Sequence, residues 1–143
     1  MPDLAQVEIL TRLVVGLILG FLVGLERELK SSPAGMRTHT LVALGSTLFT
    51  LMSIKMAGPG VDTSRIAAQI VVGIGFIGGG TIFKAENRVV GLTTAASLWI
   101  TAAIGLVVGM GDFFTAIVAT SLVLLVIVAG RWFEKRMLHK KKR

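Results

Sequence analysis

Two short polar clusters hold most of the residues in this chain that could bind or react. The first is Gly24-Leu25-Glu26-Arg27-Glu28, followed by Ala34-Gly35-Met36-Arg37-Thr38-His39-Thr40. It reads either as a solvated charged loop or as an ordered ion-pair network of Glu26, Arg27 and Arg37. The network has a physical reason, since charges close to hydrocarbon are expensive and tend to pair. The second is Lys84-Ala85-Glu86-Asn87-Arg88, with Gly91, Thr93, Thr94, Ser97 and Trp99 close behind. Helices beginning within the first cluster, at 34, and just after Arg88, at 90, would point free N–H groups and positive dipole ends at one region, an arrangement that suits an anion. Thr38, Thr93 and Thr94 would add hydroxyl donors. The expected ligand is an anion or a lipid headgroup; the competing reading is that Thr93, Thr94 and Ser97 only hydrogen-bond between helices.

Other chemistry is poorly served. The chain has no Cys and no Tyr, and its histidines are His39 and His139. A lone His39 beside two threonines reads as a hydrogen-bonded interface residue, so no enzyme is expected. Mg²⁺ demands octahedral oxygen geometry and dehydrates reluctantly. The eight acids, Asp3, Glu8, Glu26, Glu28, Asp62, Glu86, Asp112 and Glu134, all fall at or near the ends of apolar runs. None can strip an ion at mid-span of one subunit, which leaves open a hydrated ion in an oligomeric pore. Glu26 is the best-placed acid for a metal, and no cofactor is expected other than Mg²⁺ itself. Gly73 to Gly78 matches GxGxxG, but no strand precedes it and it lies within an apolar run, so it is not a nucleotide fingerprint.

These clusters sit between long apolar segments. Of 143 residues 53% are hydrophobic and 16% charged, with mean hydropathy +0.80. A soluble domain carries about 25% charged residues, so this composition excludes one, and it excludes disorder. Charge-free runs cover 66–83, 89–111 and 113–130, each near the roughly 20 residues that span a bilayer. Shorter apolar runs at 13–25 and 41–54 extend past Arg12 and Lys55, and Arg12 can snorkel to the interface. The layout is therefore all-α and polytopic: helices at 7–25, 34–56, 65–83, 90–110 and 113–133. Residues 1–133 form a transmembrane domain and 134–143 a basic cytoplasmic tail. Ser32-Pro33 is expected to open the second helix. The first helix is retained, since Asp3 and Glu8 precede the first basic residue, unlike a signal peptide.

Net charge is +7, and seven of the fifteen basic residues lie at 131–143. A basic cap on an apolar chain reads as a topology signal rather than nucleic-acid binding. Placing the C-terminus inside puts twelve basic residues in cytoplasmic segments and three outside, which predicts N-out, C-in. Gly16, Gly20 and Gly24 are spaced by four, as are Gly105 and Gly109. Small residues so spaced let helices approach closely in lipid, within one chain or at a homo-oligomer seam. Gly78, Gly79 and Gly80 weaken the third helix, marking a tight crossing or a polar cavity.

Four segments, GLERE at 24–28, AGMRTHTLVALGSTLF at 34–49, RIAAQIVVGIGFIGGGTIFK at 65–84 and VVGLTTAASLWITAAIGLVVGMGDF at 89–113, resemble the MgtC/SapB family of bacterial inner-membrane proteins. The resemblance covers about 15–130. It implies a multi-pass inner-membrane protein of magnesium homeostasis, of Mg²⁺ or small-ion transport type. It also implies an alternative, a non-transporting regulator that binds a membrane partner such as the ATP synthase or a cation pump. It singles out Glu26, Arg27, Arg37, Thr38, Gly78 to Gly80, Gly91, Thr93, Thr94 and Trp99. Position 93 is Thr where some relatives have Asn. Virulence-type members carry a soluble C-terminal domain, so roles that need that domain are not expected here. A lipid bilayer and a second copy of the chain are the expected partners.

Overall fold

Residues 5–86 and 88–140 are described by a computed structural model. They form helices α1 (Gln6–Leu29), α2 (Met36–Lys55), α3 (Ser64–Gly79), α4 (Leu92–Met110) and α5 (Phe113–Lys140), with strands β1 (Phe83–Ala85) and β2 (Arg88–Val90) between α3 and α4. Three spans, Gln6–Leu29, Leu92–Met110 and Phe113–Glu134, are long and apolar enough to cross a membrane. α3 is apolar but shorter, at 16 residues. Many large apolar side chains face outward, Phe76 at 88% exposure among them. Water would not tolerate so broad an apolar surface on a monomer, whereas hydrocarbon does. The architecture is all-α and of membrane type.

Four boundaries differ from the sequence reading. α1 runs on to Leu29, so Glu26, Arg27 and Glu28 lie on its last turns rather than in a loop. Ser32-Pro33 does not open α2. Ser31 adopts φ +54°, Pro33 follows the helix end as prolines often do, and extended Gly35 at φ −112° precedes the first turn of α2. α3 stops at Gly79, not 83, with Gly80 as its C-cap. Three poor helix formers end it there, and the β-branched and aromatic residues beyond favour pairing. They make an antiparallel hairpin with Phe83 opposite Val90 and Ala85 opposite Arg88. Gly91 joins this hairpin to α4 at φ +91°, where a Cβ would overlap the Thr81 carbonyl. α5 passes the expected 133/134 boundary and continues helical to Lys140. Residues 141–143 of the expected tail lie outside the described residues, as does Asn87.

The packing centre is the α1–α2–α4 seam, and glycine builds it. A Cβ on Gly16 would meet Thr47 Oγ1 at 2.5 Å, on Gly20 the Ala43 Cβ at 2.6 Å and on Gly24 the Met36 Cα at 2.7 Å. Gly105 and Gly109 do the same for α4 against α2. Both glycine stripes therefore serve packing within one chain. Leu19, Val23, Ile104, Val108 and Ala116 fill the core among α1, α4 and α5.

Arg12 does not snorkel. It is 7% exposed, pairs with Glu8 and donates to the Gly109 carbonyl at 2.6 Å. A cation at that helix C-terminus meets the negative end of the α4 dipole.

Asp62 ties down the start of α3. Its Oδ1 accepts from the Ser64 hydroxyl at 2.6 Å and the Ser64 N–H at 2.9 Å. The hydroxyl first, then the N–H, holds this carboxyl below its usual range. A depressed folded value stabilises the fold above the unfolded carboxyl pKa of about 3.9, and that contribution is lost as pH falls through the folded value. The melting-temperature gap between wild type and Asp62→Asn should therefore stay constant from pH 7 to about pH 5 and close below about pH 4. Thermal melts across that range check it.

Candidate functional site

The first polar cluster folds into a compact site where the ends of α1 and α5 meet the starts of α2 and α4. Arg27 is its centre, 4% exposed at the end of α1. Its Nη2 donates to Ser32 Oγ at 3.1 Å, and Ser32 Oγ lies 3.3 Å from Thr94 Oγ1 near the start of α4. Glu26 Oε2 is 3.8 Å from Arg27 Nη1, and Glu26 Oε1 is 3.5 Å from Arg131 Nη1 on α5. Glu26 Oε2, Arg27 Nε and Arg27 Nη1 are buried without a hydrogen-bond partner among the described residues. Groups so placed gain strongly from a polar guest such as water.

His39 extends the site inward and is fully buried. The Gly35 carbonyl 3.0 Å from Nδ1 can only accept, so Nδ1 carries a hydrogen. Nε2 is 3.1 Å from Ser97 Oγ, which in turn lies 2.8 Å from the Thr94 carbonyl. A polar chain thus runs from the start of α2 across α4. Farther along the same seam, Ser46 donates to the Ala102 carbonyl at 2.6 Å and Thr47 to the Gly105 carbonyl at 2.9 Å. Thr50 and Thr101 close on carbonyls of their own helices. Interhelical bonds of this kind contribute about 0.6 kcal/mol each in membranes.

The expected membership needs correction. Arg37 is not in the Glu26–Arg27 network; Arg131 takes that place, while exposed Arg37 and half-buried Thr38 line a separate groove between α2 and α3. Glu28 is no part of the network either. Its Oε2 accepts from the Met36 N–H at 2.9 Å, so the start of α2 that was expected to take an anion already holds a carboxylate of this chain. Glu26, the expected metal candidate, faces two guanidinium groups, and among the described residues no three His, Cys, Asp or Glu come together. Thr93 and Trp99 are exposed on α4, away from buried Thr94. Lys84 and Arg88 sit exposed on the hairpin.

Of the three adjacent glycines, Gly78 crosses Ala95 of α4, with a Cβ contact of 3.5 Å to the Ala95 carbonyl. Gly79 and Gly80 are exposed at the helix end. They mark a crossing and a terminus, not a polar cavity. Sequence reasoning missed Ser32 and Arg131. Ser32 read as a helix cap and Arg131 as a topology charge, and nothing local distinguishes those roles from the ones they have.

The architecture and the cluster both fall within a segment that known proteins share. A model of the MgtC family matches residues 13–136. Among similar proteins, the Escherichia coli K12 protein named "Putative magnesium transporter YhiD" is 40% identical over 140 residues, covering 93% of this chain and 65% of its own length. "Protein MgtC" of Brucella abortus is 48% identical over 109 residues, covering 76% of this chain and 45% of its own. The chain thus spans about half to two thirds of the relatives it matches. No solved structure matches it. With nearly all of α1 to α5 inside the matched region, the chain belongs to the MgtC family.

Proposed function

We propose that this chain acts in magnesium homeostasis as a non-transporting regulator in the bacterial inner membrane. It binds a membrane partner at the end of the bundle that buried Arg27 and Thr94 and partly buried Glu26 shape, where half-buried Ser32 and Arg131 reach the surface. The observation that supports this reading is the α2–α4 seam. Its hydroxyls are buried and donate to backbone carbonyls, in a seam where Gly105 and Gly109 leave no room for even a Cβ against α2, so a cation finds no open path along it. Of the four buried side-chain atoms without a hydrogen-bond partner among the described residues, three gather at one end, on Glu26 and Arg27, and the fourth is Arg12 Nε at the other. The printed name of YhiD supplies the link to magnesium. The family resemblance supplies the class of partner, the ATP synthase or a cation pump. The proposed topology is five spans, N-out and C-in. Trp132 near the end of α5, with the Arg136 guanidinium 4.9 Å over its ring, fits an aromatic and basic boundary at the inner face.

The same printed name favours a second reading, Mg²⁺ transport. Flux separates the two. Intact protein reconstituted in liposomes around a Mg²⁺-sensitive dye should show no saturable Mg²⁺ entry above protein-free vesicles. Saturable entry would overturn the regulator.

A further inference from the structure

α3 stands off from α2 and leaves an apolar groove of about 1040 Å³ between them. This is the size of a small-molecule site, but it opens where the bilayer lies. Its polar groups follow an order. At the start of α3 comes Arg65, then Gln69 one turn along on the same face, then Gly73 and apolar side chains. At the other end Arg37 and Thr38 precede Gly45. Four residues of helix are about 6 Å, so Gln69 lies about 6 Å deeper than Arg65. Basic, then amide, then apolar is the order in which a phospholipid presents phosphate, glycerol ester and acyl chain. Gln69 makes no hydrogen bond to another described residue, and an unmatched amide facing hydrocarbon is costly. A Cβ at Gly45 or Gly73 would meet nothing within 4 Å. Those glycines leave empty width rather than serve packing in this chain.

We propose that the groove between α2 and α3 binds an anionic phospholipid, with its phosphate at Arg65, its glycerol ester at Gln69 and its acyl chain along Gly73 and Gly45. Charge decides between this occupant and a second copy of the chain. Two copies related by an axis along the membrane normal would set Arg65 against Arg65 and Arg37 against Arg37 at equal depth, and like charges repel. A phosphate complements them. The site is separate from the Arg27 cluster and does not depend on the proposed regulation.

The test uses intact, delipidated protein in mild detergent, with bound lipid per chain read by native mass spectrometry. Phosphatidylglycerol should bind saturably and better than phosphatidylcholine. Arg65→Gln should weaken phosphatidylglycerol binding about fivefold, the effect of one basic residue near an anionic surface. Gly45→Leu/Gly73→Leu should abolish binding at an unchanged melting temperature. Glycerophosphate and inorganic phosphate, which lack the chain, should not compete. Retained phosphatidylglycerol in the double leucine variant overturns the proposal, as does equal binding of phosphatidylcholine. Competition by glycerophosphate or phosphate reduces the site to an anion site. Conversion of an oligomer to a monomer by the leucines, with lipid still bound, assigns the groove to another helix.

Discussion

Gly105→Leu should strongly destabilise the native fold, whereas Gly45→Leu should leave it intact. Both glycines lie inside apolar helices and look alike in sequence. A Cβ at Gly105 would overlap the Ala43 carbonyl and stand 2.9 Å from Ser46 Cβ, while at Gly45 it meets nothing within 4 Å. The Ala43 carbonyl is backbone of α2 and cannot turn aside, so the α2–α4 seam would have to part. That breaks the Ser46–Ala102 and Thr47–Gly105 bonds as well. Overpacking costs about 1–3 kcal/mol where side chains can adjust; here we expect at least the upper end, about 3 kcal/mol. Gly45→Leu should stay within about 0.5 kcal/mol of wild type. Thermal melts and size-exclusion profiles in detergent decide the matter. Equal melting temperatures for the two variants would refute the seam.

The second large effect concerns the Arg27 cluster. Glu26→Gln removes the carboxylate that faces both Arg27 and Arg131 and leaves a buried guanidinium without its counter-charge. The Glu26 side chain is 12% exposed and that of Arg27 is 5%. Breaking a buried pair on one side costs about 3–5 kcal/mol, and at 3.8 Å the lower end, about 3 kcal/mol, applies. Replacing both partners removes the stranded charge, so Glu26→Gln/Arg27→Met should recover to within about 1 kcal/mol of wild type. This double variant separates folding from function. It should insert and melt normally yet fail to restore growth of a deletion strain at low Mg²⁺. Full complementation by the folded double variant would show that this cluster does not shape the proposed partner surface.

Helix existence and membrane character were legible because they depend on local quantities. Long charge-free runs such as 113–130 must leave water whatever their neighbours do. The spacing of Gly16, Gly20 and Gly24 likewise announced a close helix contact. The triple glycine announced a weak point in α3, though not that it ends the helix, because the hairpin that follows depends on pairing across the turn. Arg12 shows the limit of charge reading. A basic residue within an apolar run snorkels or finds a buried acceptor, and only the position of the α4 C-terminus made it the second.

The polar clusters were visible as clusters, but their partners were not. Ser32 and Thr94 are 62 positions apart, and Glu26 and Arg131 are 105. No periodicity encodes contacts at such distances. Sequence alone established an all-α chain of membrane type, its family resemblance, and the residues able to carry charge or hydrogen bonds near helix ends. Tertiary structure alone decided which of them meet. It moved Arg37 from the ion-pair network to the groove, put Glu28 on the start of α2, and drew Ser32 and Arg131 into the Arg27 site. The physical reason is that hydropathy and helix period act over a few residues, whereas pairing of buried charges depends on how α1, α2, α4 and α5 cross.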